Sequence, residues 1–165
     1  MKRVIYIRHA KSSWADIGIV DKNRKLNDRG NRDAPIMASI LGEILNKKNI
    51  NVNEILCSSS KRTSLTIDYF LKNGFENIPV RYEDKLYHAS LNDLIEQAYG
   101  TDENYSTIII CAHNPGLTYL AYEVGIDTDN IPTCGIFECI YNCEKWNQIS
   151  LENAKPGFYI YPKLF

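Results

Sequence analysis

The sequence holds only three histidines, and its cysteines form no Cys-x-x-Cys unit. A zinc-type site would have few ligands to draw on, and no metal or cofactor is called for. The five cysteines, Cys57, Cys111, Cys134, Cys139 and Cys143, are odd in number, which argues against a disulfide framework. Cys57 and Cys111 fall in apolar runs and read as small buried hydrophobes. Long hydrophobic runs are missing as well. No stretch approaches the roughly 18 to 20 apolar residues of a membrane span. The apolar run Val4 to Ile7 is cut off by Arg8-His9, too short for the core of an export signal. The expected location is cytoplasmic. An excess of charge is also absent: 19 basic against 20 acidic side chains give a net charge of −1. Neither nucleic acid nor an anionic membrane is indicated as a partner. An anionic substrate would have to be met by a local cluster of cations.

What remains is ordinary globular material. The chain has 165 residues, 44% of them hydrophobic, enough for one domain over 1–165 with a real core. Residues 3–7 read as a strand buried on both faces, because the run is nearly continuous rather than alternating. Residues 10–27 read as a loop. Ile36, Met37, Ile40, Leu41, Ile44 and Leu45 recur at steps of three and four, the spacing of one helical face. Asp28 is the expected cap of that helix, and Pro35 argues for a late start or a kink. Further strands are expected at 52–57, 80–82, 107–111, 135–141 and 157–161. Helices are expected at 63–71, 91–98 and 117–124. The segment 146–151 is read as a hairpin partner of the strand before it. Alternating strands and helices without repeats predict an α/β three-layer sandwich, with a mostly parallel central sheet and an antiparallel edge contributed by the late strands.

Three buried strands end in polar segments: Arg8-His9-Ala10-Lys11-Ser12, Ser58-Ser59-Ser60-Lys61-Arg62-Thr63, and Ala112-His113-Asn114-Pro115-Gly116. In a parallel sheet such ends lie together, and ligands bind there. Arg8, His9, Arg62 and His113 are therefore expected to converge. Two guanidinium forks match phosphate oxygens. A neutral imidazole attacks phosphorus, and a second imidazole can donate a hydrogen bond to the group in flight. A carbonyl that takes the proton from one nitrogen of His9 would leave the other free to act. Each feature alone has an ordinary reading as a strand exit, a helix cap or a solvated turn.

The ordered set of blocks VIYIRHAKSSW, RKLNDRG, SSSKRTSLT, KLYHAS, IICAHNPGL and IPTCGI resembles the histidine phosphatase, or phosphoglycerate mutase-like, superfamily, and within it the compact SixA-like phosphohistidine phosphatases. The resemblance spans nearly the whole chain. It implies the phosphoglycerate mutase-like fold, with His9 as phosphorylated nucleophile, Arg8 and Arg62 as phosphate-binding residues and His113 as a contact of the phosphoryl group. Asn114 would shape the rim. Ser12 and Lys11 would either line the pocket or face solvent. Ser59 and Ser60 stand where that superfamily often has Pro and Ala.

Larger members of the superfamily supply a carboxylate as general acid, and no clean equivalent is visible here. Glu83, Asp84 and His88 are the candidates; a solvated loop charge is the plainer reading of the first two, and packing beside Tyr87 of the third. An alkoxide leaving group needs an acid, whereas a phosphorylated imidazole needs less help. The expected activity is thus a metal-independent phosphatase acting on phosphohistidine in a protein. The alternatives are a phosphomonoesterase for a small phosphate ester and a non-catalytic phosphate-binding regulatory module.

Overall fold

The computed structural model describes residues 1–165. Strand β1 (Lys2–Arg8) leads through a long loop, with a 3-10 turn at Asp21–Asn23, into helix α1 (Asp28–Lys47). Then follow β2 (Glu54–Ser58), α2 (Lys61–Leu71), β3 (Val80–Glu83), α3 (Leu91–Glu96), β4 (Thr107–Ala112), α4 (Gly116–Glu123), β5 (Ile136–Tyr141) and β6 (Ala154–Ile160). All six strands form one sheet in the order β3-β2-β4-β1-β5-β6. β3, β2, β4 and β1 pair in parallel, while β5 runs antiparallel to both β1 and β6.

Continuous apolar strands follow from cover on both faces. Val4 and Tyr6 join Leu56, Ile108 and Ile110 in a core closed by Leu94, Leu117 and Leu120 of α3 and α4. Ile5 and Ile7 point the other way, with Ile55, Cys57 and Ile109, under Met37, Leu41, Ile67 and Phe70 of α1 and α2. The two-residue period of a strand thus feeds two cores, and the helices form the outer layers.

Three local expectations are corrected. α1 begins at Asp28 itself and is capped by Asn27, whose side chain accepts from Gly30 N at 2.9 Å. Pro35 lies inside α1 rather than at its start. Proline there deprives the Asn31 carbonyl of its usual donor, and Asn31 is exposed, so water can replace it. Residues 146–151 do not pair with β5. Trp146–Gln148 and Leu151–Asn153 are 3-10 turns, and β6 takes the place beside β5. The fully buried Trp146 fills the core beneath that connection instead.

Candidate active site

The register of the parallel strands assembles the site. Arg8 on β1 pairs with Ala112 on β4. The next residue on each strand is a histidine, so His9 and His113 leave the same edge of the sheet together. Their ring centroids are 5.0 Å apart. On the other side of β4, Cys57 pairs with Cys111. This carries Ser58 to the same edge, where its Oγ lies 2.8 Å from His113 Nε2. Arg62, in the first turn of α2, reaches back and its Nε donates to His9 Nε2 at 3.3 Å. Ser60 caps that helix by accepting from Thr63 N.

His9 has a defined tautomer. Nδ1 faces the Ala10 carbonyl at 2.7 Å, an acceptor only, so Nδ1 carries the proton and donates it. Nε2 is left as the lone pair, consistent with its receiving the Arg62 Nε–H. The loop carrying His9 is itself pinned: Ala10 N donates to Thr66 Oγ1 at 3.0 Å, and Cys134 N donates to the Arg8 and His9 carbonyls. Burial pushes the His9 pKa down to about 3, and Arg62, Arg8 and Arg24 lower it further against the opposing Ala10 hydrogen bond. Burial, reinforced by His9 and Arg62, lowers His113 to about 2. Both rings are neutral at ordinary pH. His113 Nδ1 is buried and has no protein partner.

Arg8 is half-buried. Its Nη1 donates to the Ile131 carbonyl at 2.7 Å, while its Nε is buried without a partner. Burial and the nearby Arg62 lower its pKa. Asn114 Nδ2 donates to the same Ile131 carbonyl at 3.0 Å and to Asn130 Oδ1. Asn114 thus braces the segment that orients Arg8. Ser12 is buried and accepts from Arg24 Nη1 at 2.5 Å.

Three more residues reach this edge: Asp21, which lies in no motif, and Arg24 and Tyr87, which lie in the RKLNDRG and KLYHAS blocks but were assigned no role there. Asp21 accepts from Arg62 Nη2 at 3.1 Å, from Arg24 Nε at 3.0 Å, and from the Tyr87 hydroxyl. The Asp21 carbonyl also accepts from Arg62 Nη1 at 2.8 Å. The Tyr87 hydrogen bond, with help from Arg24 and Arg62, holds the Asp21 carboxyl well below the usual carboxylate range. Arg24 is a third, buried guanidinium, stacked on Trp14 at 3.7 Å. Tyr87 stands edge-on to His113, with centroids 5.5 Å apart. Of the candidate acids, Glu83 is paired with Arg81 at 2.6 Å. Asp84 is exposed, bound by Lys22 and Ser59, and its pKa is lowered by those contacts. His88 packs on Tyr87 at 4.0 Å between centroids. Three guanidinium groups, one carboxylate and two neutral imidazoles suit a phosphoryl dianion.

No family model matches the sequence. Among relatives in sequence, ML1117 of Mycobacterium leprae is 30% identical over 163 residues, spanning 90% of this chain and 95% of its own. Rv1276c of Mycobacterium tuberculosis is 33% identical over 141 residues, 79% of this chain and 84% of its own. Both are described as uncharacterized proteins. Among solved structures, SixA from Agrobacterium tumefaciens superposes with a TM-score of 0.79 at 23% identity over 98% of each chain. The protein histidine phosphatase SixA complexed with tungstate gives 0.77 at 17% identity, again over 98% of each chain. The mycobacterial glucosyl-3-phosphoglycerate phosphatase Rv2419c gives 0.63 at 12% identity, over 94% of this chain and 96% of its own.

Proposed function

We propose that this chain is a member of the histidine phosphatase superfamily, a phosphatase that transfers a phosphoryl group to His9 and then to water, and that its substrate is phosphohistidine in a protein. The observation that carries the first part is the geometry of His9: Nδ1 bonded to Ala10 O and Nε2 unprotonated, its lone pair facing only the Arg62 Nε–H, in a ring held neutral.

In the first step Arg62 Nε–H turns from His9 Nε2 to the phosphoryl oxygens, and the freed Nε2 lone pair attacks phosphorus. The new N–P bond forms as the bond from phosphorus to the leaving group breaks in line. Arg8, whose buried Nε lacks a partner, and Arg62 bind the phosphoryl oxygens. Taking the Ser58 hydroxyl as donor in its bond with His113 Nε2 leaves the His113 proton on Nδ1, the buried nitrogen without a protein acceptor. That N–H donates to the group in flight. In the second step water attacks phosphorus, the N–P bond breaks, and phosphate leaves with His9 restored.

The choice of phosphohistidine rests on the acids. Glu83, Asp84 and Asp21 are all engaged by cations, and the pKa values of Asp84 and Asp21 are lowered rather than raised. Neither aspartate is tuned to hand a proton to an alkoxide, and the Glu83 carboxylate is taken up by Arg81. An imidazole leaving group can take its proton from water. Turnover of a histidine-phosphorylated protein, measured beside sugar and nucleotide phosphates, tests this reading. The protein is expected to be preferred by kcat/KM, and an equal or better small ester would overturn that preference.

A further inference from the structure

Exposed apolar side chains scattered singly are ordinary on a protein surface. Here four large ones fall within seven residues: Trp14 is 69% exposed, Ile17 100%, Ile19 41% and Val20 69%. The other exposed large apolar residues are spread along the rest of the chain.

The loop that carries them is tied to the catalytic edge at both ends. Trp14 lies against the Arg24 guanidinium, which bonds Ser12 just beyond His9. Val20 directly precedes Asp21, which holds Arg62 and Tyr87. The base is closed by the Ser12–Leu26 bridge and by hydrogen bonds from Ser13 N to Lys25 O and Asn27 N to Lys11 O. The tip is shaped by its own bonds, Ala15 N to Ser13 Oγ and Gly18 N to Asp16 Oδ1. An apolar lip therefore stands fixed beside a cationic phosphoryl site.

We propose that residues 14–20 form a docking lip for a phosphoprotein substrate, one whose phosphohistidine is surrounded by apolar surface side chains. The proposal rests on the phosphatase reading and names the kind of substrate surface it requires. Two observations carry it. The lip is tied at both ends to groups that would hold the phosphoryl group, which puts it on the path of a protein delivering phosphate to His9. The chemistry is also split to match such a partner, with cations for the phosphate and apolar side chains for its surroundings. A small ester has no apolar area to cover four such side chains, and covering them is where the affinity would come from.

The test is the double substitution Ile17→Ser/Val20→Ser, at positions exposed enough that folding does not depend on them. Wild type and variant are compared on free phosphohistidine and on a protein carrying phosphohistidine among apolar surface side chains. On the protein, kcat/KM is expected to fall by about tenfold or more, mainly through KM. On free phosphohistidine the two enzymes should match. Equal losses on both substrates, or none on the protein, would overturn the lip while leaving the phosphatase reading in place. A wild type inactive on both would overturn the two together. Sedimentation is the second measurement: a wild-type dimer that dissociates in the variant would assign the lip to a second copy of this chain and overturn the proposal.

Discussion

Ser58 Oγ and His113 Nε2 meet at 2.8 Å because β2 and β4 run in parallel register through Cys57 and Cys111. Ser58→Ala would leave a buried imidazole nitrogen without its partner, at a cost of about 1–3 kcal/mol. It would also remove the bond that, with the Ser58 hydroxyl as donor, keeps the His113 proton on Nδ1. Stability by urea unfolding should fall within that range, and kcat should fall by about tenfold with little change in KM. A variant with wild-type kcat would show that His113 is oriented by something else.

Asp21 is predicted to act through Arg62 and Arg24 rather than on substrate. Asp21→Asn keeps the shape and removes the charge that holds both guanidinium groups. The expected loss in kcat/KM is about tenfold. Tyr87→Phe, which removes only one donor to Asp21, should cost less. Unaltered kinetics in Asp21→Asn would mean that Arg62 is placed well enough by its bonds to His9 and the Asp21 carbonyl.

The histidines give stability a definite pH dependence. The folded pKa values, about 3 for His9 and about 2 for His113, lie below the unfolded value near 6.5. Between those limits the unfolded chain binds protons that the folded chain does not. Stability therefore falls as pH drops below about 6.5, by up to roughly 1.4 kcal/mol per pH unit for each ring. Urea unfolding at pH 7 and pH 5 measures the slope, and His9→Asn should reduce it. A wild-type slope that His9→Asn leaves unchanged would contradict the buried neutral state of His9.

Gly30 packs against the loop that follows His9. A Cβ there would stand 2.2 Å from the Lys11 carbonyl oxygen, so the helix or the loop must move. Gly30→Ala is expected to cost about 1–3 kcal/mol in urea unfolding and to lower kcat by shifting residues 10–12. Substitution without loss of stability would place more freedom in that loop than the contact allows.

The strand ends were readable because β-branched and apolar runs mark where a parallel strand stops, and the residues just beyond are then forced onto one edge. His9, His113, Arg62 and Arg8 come together for that reason. Asp21 was not readable, and Arg24 and Tyr87, though inside the RKLNDRG and KLYHAS blocks, gave no sign of their place at the edge, since all three reach it through loops whose paths no periodicity records. The cap of α1 was misread by one residue because Asn27 and Asp28 are equally good caps. Residues 146–151 looked like a strand by composition, yet burial of Trp146 in the core draws that segment into 3-10 turns.

The central claim is that His9 carries the phosphoryl group between substrate and water. Single-turnover reaction with a labelled phosphoryl donor, quenched in alkali to preserve phosphohistidine and followed by mapping, tests it most directly. Label on His9 that forms and decays at catalytic rates, with a loss of about a thousandfold or more in His9→Ala, is the predicted result. Label on another residue, or a His9→Ala enzyme that keeps its turnover, would contradict it.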